Sequence, residues 1–206
     1  MQPKKLLMTT CLAALVYLSG CAGIQAAGDV QAGRNALYTG RPNDAVSYFI
    51  RAAEVDPAYK TPYRFPVGVF TYLGRAYYET GRDEEARKAL EKAVGLDKDD
   101  SLAHLYLGLT LLRTNDRDRG RKEIEGGLKS IHETLEYIGS NNIHGIFWDP
   151  ARMIRSDIER TLASKSDESQ LAVAAERIGS EVEEEIYKAR RDESQGHRGG
   201  GDSGGN

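Results

Sequence analysis

The segment Val67–His132, VGVFTYLGRAYYETGRDEEARKALEKAVGLDKDDSLAHLYLGLTLLRTNDRDRGRKEIEGGLKSIH, carries one pattern twice, end to end without a gap. Gly74 recurs as Gly108, Ala86 as Gly120, Leu90 as Ile124 and Ala93 as Gly127, each pair 34 residues apart. Small residues at those spacings let two antiparallel helices approach closely, and the large residues fill the seam between them. The pattern predicts helix pairs at Val67 to Thr80 with Asp83 to Leu96, and at Leu102 to Thr114 with Asp118 to about Tyr137. Gly81-Arg82 is the turn of the first pair.

A third copy lies upstream in Gly33, Ala36, Gly40, Ala45, Phe49, Ala52 and Pro57, with helices over Val30 to Thr39 and Asp44 to Val55. Gly40-Arg41 takes the place of Gly81-Arg82. The step from Gly33 to Gly74 is 41 residues, so Lys60 to Pro66 is an insertion, and its two prolines cannot continue a helix.

Phe70, Leu73, Gly74 and Tyr77, followed by Ala86, Leu90 and Ala93, resemble the tetratricopeptide repeat (TPR) family. His104, Leu107, Gly108 and Leu111, followed by Gly120, Ile124 and Gly127, repeat the resemblance, with His104 at the large aromatic position. The family's closing proline is replaced by Lys98 and His132. The resemblance implies an all-α fold, a TPR helix-turn-helix solenoid of three repeats over 29–134 with additional C-terminal helices. It also implies a concave face, lined by the first helix of each pair, that holds a protein or peptide partner. On this register the partner-binding residues are Arg34, Tyr38, Arg75, Tyr78, Leu105 and Leu109. Val30, Tyr72, Leu102 and Tyr106 stand where some family members place polar or basic groups to clamp a C-terminal carboxylate, so such a clamp is not expected.

The chain opens with Lys4 and Lys5, a mostly apolar run from Leu6 to Leu18, and Leu18-Ser19-Gly20-Cys21. That is a secretory signal in form over 1–20, too short for an ordinary membrane span. Its last four residues resemble the lipobox of bacterial lipoproteins, which implies cleavage before Cys21 and acylation of Cys21. Several acyl chains on one residue anchor stably, whereas one binds only marginally. A linker over 21–28 would follow. Ala22 stands where an aspartate commonly retains such proteins in the inner membrane, which implies the outer membrane, periplasmic face. Cys11 would leave with the signal, so no free thiol or thiolate metal site remains. Removing residues 1–20 leaves 186 of 206 residues and moves the formal charge from −3 to −5, since Lys4 and Lys5 are the only charges lost. That mild acidity argues against a nucleic-acid partner.

Beyond the repeats, Ile138 to Phe147 reads as a loop containing His144. Asp149 suits an N-cap and Pro150 the first helical position, with Trp148 and Met153 placed for a hydrophobic staple. Trp148 reads either as a docking residue for the next helix or as a stacking platform for a ligand. Ile154, Ile158 and Leu162 continue one apolar stripe. A last long helix spans Asp167 to Arg191 with the stripe Leu171, Ala174, Ile178, Val182 and Ile186. The C-terminal extension thus covers 135–191, and residues 192–206 form a glycine-rich tail expected to be disordered.

The first helix of the third repeat is apolar almost all round, with Leu102, Leu105, Tyr106, Leu107, Leu109, Leu111 and Leu112. A solvent-facing groove wall is not built that way, so the C-terminal stripes are expected to pack on it and close that end of the groove. Arg117, Arg119, Arg121 and Lys122 read as a solvated basic face or, alternatively, an anion patch. No phosphate loop, His-Glu-x-x-His, Gly-x-Ser-x-Gly or mature cysteine nucleophile is present, and the four histidines lack close metal-ligand spacing. No cofactor, metal or catalytic residue is therefore expected. The expectation is a scaffold or assembly factor for an envelope machine such as a pilus, secretion or polysaccharide-export system. The alternative is an accessory subunit of an envelope enzyme such as a peptidoglycan hydrolase.

Overall fold

The computed structural model describes residues 23–141, 145–164 and 167–199, with side chains through 189. The signal segment 1–20, Cys21, His144 and residues 200–206 lie outside the described residues. Within them the helices are α1 (23–38), α2 (Pro42–Val55), α3 (Val69–Glu79), α4 (Asp83–Leu96), α5 (Ser101–Arg113), α6 (Arg117–Asn141), α7 (Met153–Ala163) and α8 (Glu168–Gly199). A 3₁₀ turn, Gly145–Phe147, joins α6 to the α7 region. The fold is an all-α, TPR-like helical repeat.

The three helix pairs are α1–α2, α3–α4 and α5–α6, and each turns in the same way. Gly40, Gly81 and Asn115 all have positive φ, at 70°, 71° and 66°. The amide that follows each donates back across the turn: Arg41 to the carbonyl of Ala36 (2.8 Å), Arg82 to Tyr77 (2.9 Å) and Asp116 to Leu111 (2.9 Å). These are Schellman closures, in which a left-handed residue satisfies the last helical carbonyls. Asparagine tolerates that conformation, which is why the third turn works without glycine.

Close packing at the seams explains the small residues. A Cβ at Gly33 would lie 2.6 Å from the Phe49 ring, and one at Gly74 would lie 2.4 Å from Leu90 Cγ. At Gly108 the obstacle is backbone, with Gly120 O and Ile124 N both at 2.6 Å. The third pair is thus the tightest, and Gly120 in place of alanine is part of the reason.

The inserted segment folds onto itself as a short antiparallel bridge, Lys60 with Gly68, and buries Phe65 and Val67 against the core. Asp100 ties this region to the next repeat. Its Oδ1 accepts from the Ala103 amide (3.0 Å), capping α5, and its Oδ2 accepts from Thr71 Oγ1 (2.6 Å) and the Gly68 amide (3.2 Å) at the head of α3. Burial pushes the Asp100 carboxyl up, against the opposing pull of these three donors.

Several boundaries differ from the expected ones. Residues 23–28, expected as a linker, are helical, because Ala26 packs into the core and Asp29 pairs with Arg51 at 2.7 Å. Helix α6 continues through Asn141, with Leu135 and Ile138 buried, so the expected loop is shorter. Helix α7 begins at Met153, not at Pro150. Asp149 and Arg152 both adopt positive φ, 44° and 54°, and fold Trp148–Arg152 into a turn. From there the Asp149 carboxylate still caps the helix, accepting from the amides of Ile154 and Arg155 (3.1 Å each) and from Arg155 Nε (3.0 Å). The expected staple does not form: Trp148 is buried, whereas Met153 is 70% exposed. Trp148 docks in the core. Helix α8 runs on to Gly199, past the expected end at Arg191. Its buried stripe is Leu171, Ala175, Ile178, Val182, Ile186 and Ala189, with Ala175 taking the place expected for Ala174.

Candidate protein-interaction site

The first helices α1, α3 and α5 present the residues that would line a repeat groove, and α8 lies across all three. Starting over the third pair, Glu168 meets Arg117 Nη1 at 3.4 Å. One turn or two further, Glu176 accepts from Tyr78 OH in a very short hydrogen bond and from Arg113 Nη2 at 3.2 Å. Gly179 crosses α5: a Cβ there would lie 3.0 Å from Tyr106 OH and 3.1 Å from Leu105 Cδ2. Glu183 then reaches Arg34 Nη2 of α1 at 3.4 Å, and Tyr187 stacks on Tyr38, with ring centroids 6.0 Å apart and 20° between planes. On its other side α8 packs against α7 and the 3₁₀ turn, where Glu185 Oε1 accepts from the Asp149 amide at 2.5 Å.

Energetics decide whether α8 is a removable ligand or part of the fold. Leu171, Ile178, Val182 and Ile186 are fully buried. At about 1.5–3 kcal/mol per buried side chain they supply about 6–12 kcal/mol. A partner binding at micromolar Kd supplies about 8 kcal/mol in all. A displacing partner would have to replace most of that before gaining anything, which favours α8 as part of the fold over an exchangeable ligand.

The six expected partner-binding residues divide accordingly. Leu105 and Leu109 are fully buried, Leu105 against Gly179 of α8, and Tyr78 is covered through Glu176. They are not open to a partner, because the apolar α5 takes its cover from the same chain. Arg34 is also buried, against Tyr63, Tyr72 and Glu183. Tyr38, at 76% exposed, and Arg75 remain on an open cleft of about 380 Å³ between α1, α3 and α8. The reading of the repeats did not include Glu183, Glu184, Ser180 and Tyr187, which form the α8 wall of this cleft.

The cleft floor is rich in buried charge. Arg75 Nε donates to Glu79 Oε1 at 2.7 Å, and its guanidinium lies over the Tyr106 ring at 5.5 Å. Burial alone would lower the Arg75 pKa, but Tyr106, Glu183 and Glu79 together raise it, so the charge is fixed. Arg34 follows the same balance, with Tyr72, Glu183 and Tyr63 outweighing burial. Burial drives the Tyr106 hydroxyl up to about 12 and Tyr78 further still, the latter reinforced by its hydrogen bond to Glu176. Neither Tyr78 nor Tyr106 ionises at neutral pH.

Elsewhere the polar groups are structural. His104 Nδ1 sits 2.6 Å from Glu123 Oε2 and its Nε2 lies 3.0 Å from the Lys98 carbonyl, and His132 meets Glu159 at 2.9 Å. Arg117, Arg119 and Arg121 of the basic cluster face Glu168, Glu91 and Glu125. Among the described residues no group of three or more His, Cys, Asp or Glu side chains is arranged to hold a metal ion. No described helix is long and apolar enough to cross a membrane.

A family model for the TPR repeat matches residues 74–115, from Gly74 in α3 to Asn115 in the turn after α5. No curated protein matches the chain. Fold and match together define a TPR-like helical-repeat protein, and repeats of this class generally mediate protein–protein interaction.

Proposed function

We propose that the protein is a lipid-anchored scaffold of the cell envelope that holds a protein partner in the cleft bounded by α1, α3 and α8. One observation carries this reading: α8 covers Tyr78 and Leu105 of the repeat groove, yet leaves Tyr38, Arg75 and Tyr187 lining an open cleft. Tyrosine and arginine are among the residues enriched where partners bind tightly. The protein acts by binding, not by catalysis.

The lipobox-like Leu18-Ser19-Gly20-Cys21 supports the anchor, and Ala22 in place of aspartate supports the outer membrane, periplasmic face. With α1 already helical at residue 23, an acyl group on Cys21 would hold the repeats against the bilayer with almost no spacer. That placement suits assembly of a membrane machine such as a pilus, secretion or polysaccharide-export system.

Affinity capture from detergent-solubilised envelope tests the binding role, using the wild-type chain and Tyr38→Ala side by side. Components of such a machine are expected with the wild type and are lost with the variant. Identical captures would overturn the assignment of the cleft. Labelled fatty acid tests the anchor: Cys21→Ser is expected to remain unlabelled, and normal labelling would overturn it.

A further inference from the structure

The cleft has a chemistry of its own. Its two cations are already answered, Arg34 by Glu183 at 3.4 Å and Arg75 by Glu79 at 2.7 Å, and Glu184 is answered by Lys188 at 2.7 Å. An incoming carboxylate or ammonium would leave one charge uncompensated in a largely desolvated floor, which is costly. Yet hydrogen-bonding capacity is left over. Arg75 uses only Nε, and its terminal nitrogens make no hydrogen bond among the described residues while the side chain, 13% exposed, lines the cleft. Beside it, Arg34 Nε is sealed from solvent without a hydrogen-bond partner.

Size and rim narrow the occupant. A cavity of about 380 Å³ takes a few side chains, not a helix 10–12 Å across. The stacked Tyr38 and Tyr187 at its mouth are 76% and 50% exposed, an aromatic surface for an apolar neighbour. A neutral group that both accepts and donates fits the cleft: its oxygen would accept from the Arg75 terminal N–H groups, and its N–H would donate to the Glu184 carboxylate, which lines the same cleft. A side-chain amide has that inventory.

We propose that the cleft receives an uncharged side-chain amide, asparagine or glutamine, presented by an extended peptide segment of a protein partner, with an adjacent apolar residue on the Tyr38–Tyr187 pair. This rests on reading the protein as an interaction scaffold.

Selection of short random peptides displayed on phage against the immobilised full chain tests it. The expected consensus is asparagine or glutamine next to an apolar or aromatic residue. Affinity of the selected peptides is expected to fall at least about ten-fold with Arg75→Met. A similar fall is expected with Tyr38→Ala, an exposed position where loss of the stack on Tyr187 costs little, so the chain stays folded. A predominantly acidic consensus that still depends on Arg75 would overturn the amide assignment while leaving the scaffold reading intact. Selected peptides indifferent to both variants would place binding elsewhere and overturn the site. Failure to enrich any peptide, with chitotriose binding instead, would overturn both readings in favour of a glycan.

Discussion

Arg34 Nη2 and Glu183 Oε2 lie 3.4 Å apart although 149 residues separate them, and they join the first helix of the repeats to the last helix of the chain. The pair is nearly sealed from solvent, with side chains 7% and 13% exposed. Removing one partner leaves the other charge buried and alone. Glu183→Ala is therefore expected to cost about 3–5 kcal/mol in a denaturant titration. The double variant Arg34→Met, Glu183→Leu should recover most of that loss, because apolar replacement of both charges removes the desolvation cost as well. A double variant no more stable than Glu183→Ala would show that the pair does not act as a unit.

Two glycines of the third repeat should respond in opposite ways to the same change. Gly108→Ala drives a methyl into the backbone of Gly120 and Ile124 and is expected to destabilise by about 1–3 kcal/mol or more. Gly126→Ala, on α6 with open space around it, is expected to stabilise by about 0.5–1 kcal/mol through helix propensity. Thermal melts of the two single variants check this; equal melting temperatures would mean that α5 and α6 are not packed through Gly108.

The helix pairs were legible because small and large residues recur in one register, and that register reflects seam packing at Gly33, Gly74 and Gly108. The third turn was hidden because Asn115 does the work of glycine there. Asp149-Pro150 read as the start of α7 because the residue types suit a cap and a first turn. The chain instead uses the left-handed conformations of Asp149 and Arg152 to cap from further back. The two C-terminal apolar stripes announced that something covers α5. What could not be read was the polar side of α8. Glu176 and Glu183 look like ordinary solvated helix positions, and their partners Tyr78 and Arg34 are 98 and 149 residues away. Tyr78, Leu105 and Arg34, which the repeat register places on an open groove, are therefore covered.

His104 sets a pH dependence. Burial lowers its pKa, but the Glu123 carboxylate and the Lys98 carbonyl outweigh burial and raise it above 6.5. A raised folded-state value means that its stabilisation is complete below the unfolded pKa of about 6.5 and is lost as pH rises through the folded value. The melting-temperature difference between wild type and His104→Gln should thus shrink between pH 5.5 and pH 8.5. A difference that stays constant or grows over that range would contradict the His104–Glu123 pairing.

Ending the chain after Ser164 removes α8 and bares Tyr78, Leu105 and Tyr106. Such a patch promotes association. The shortened chain is expected to aggregate or to melt far below the full chain by light scattering and circular dichroism. A soluble monomer with an unchanged melting temperature would mean that α8 contributes nothing to the repeats.

The most direct test of a permanently filled groove is native-state hydrogen exchange of α5 and α8. Amides of Ala175 to Ile186 are expected to exchange only through global opening, with the same free energy as the amides of Leu105 to Leu111. Exchange of the α8 amides at a markedly lower free energy, with α5 still fully protected, would show a helix that leaves the groove while the repeats stay folded.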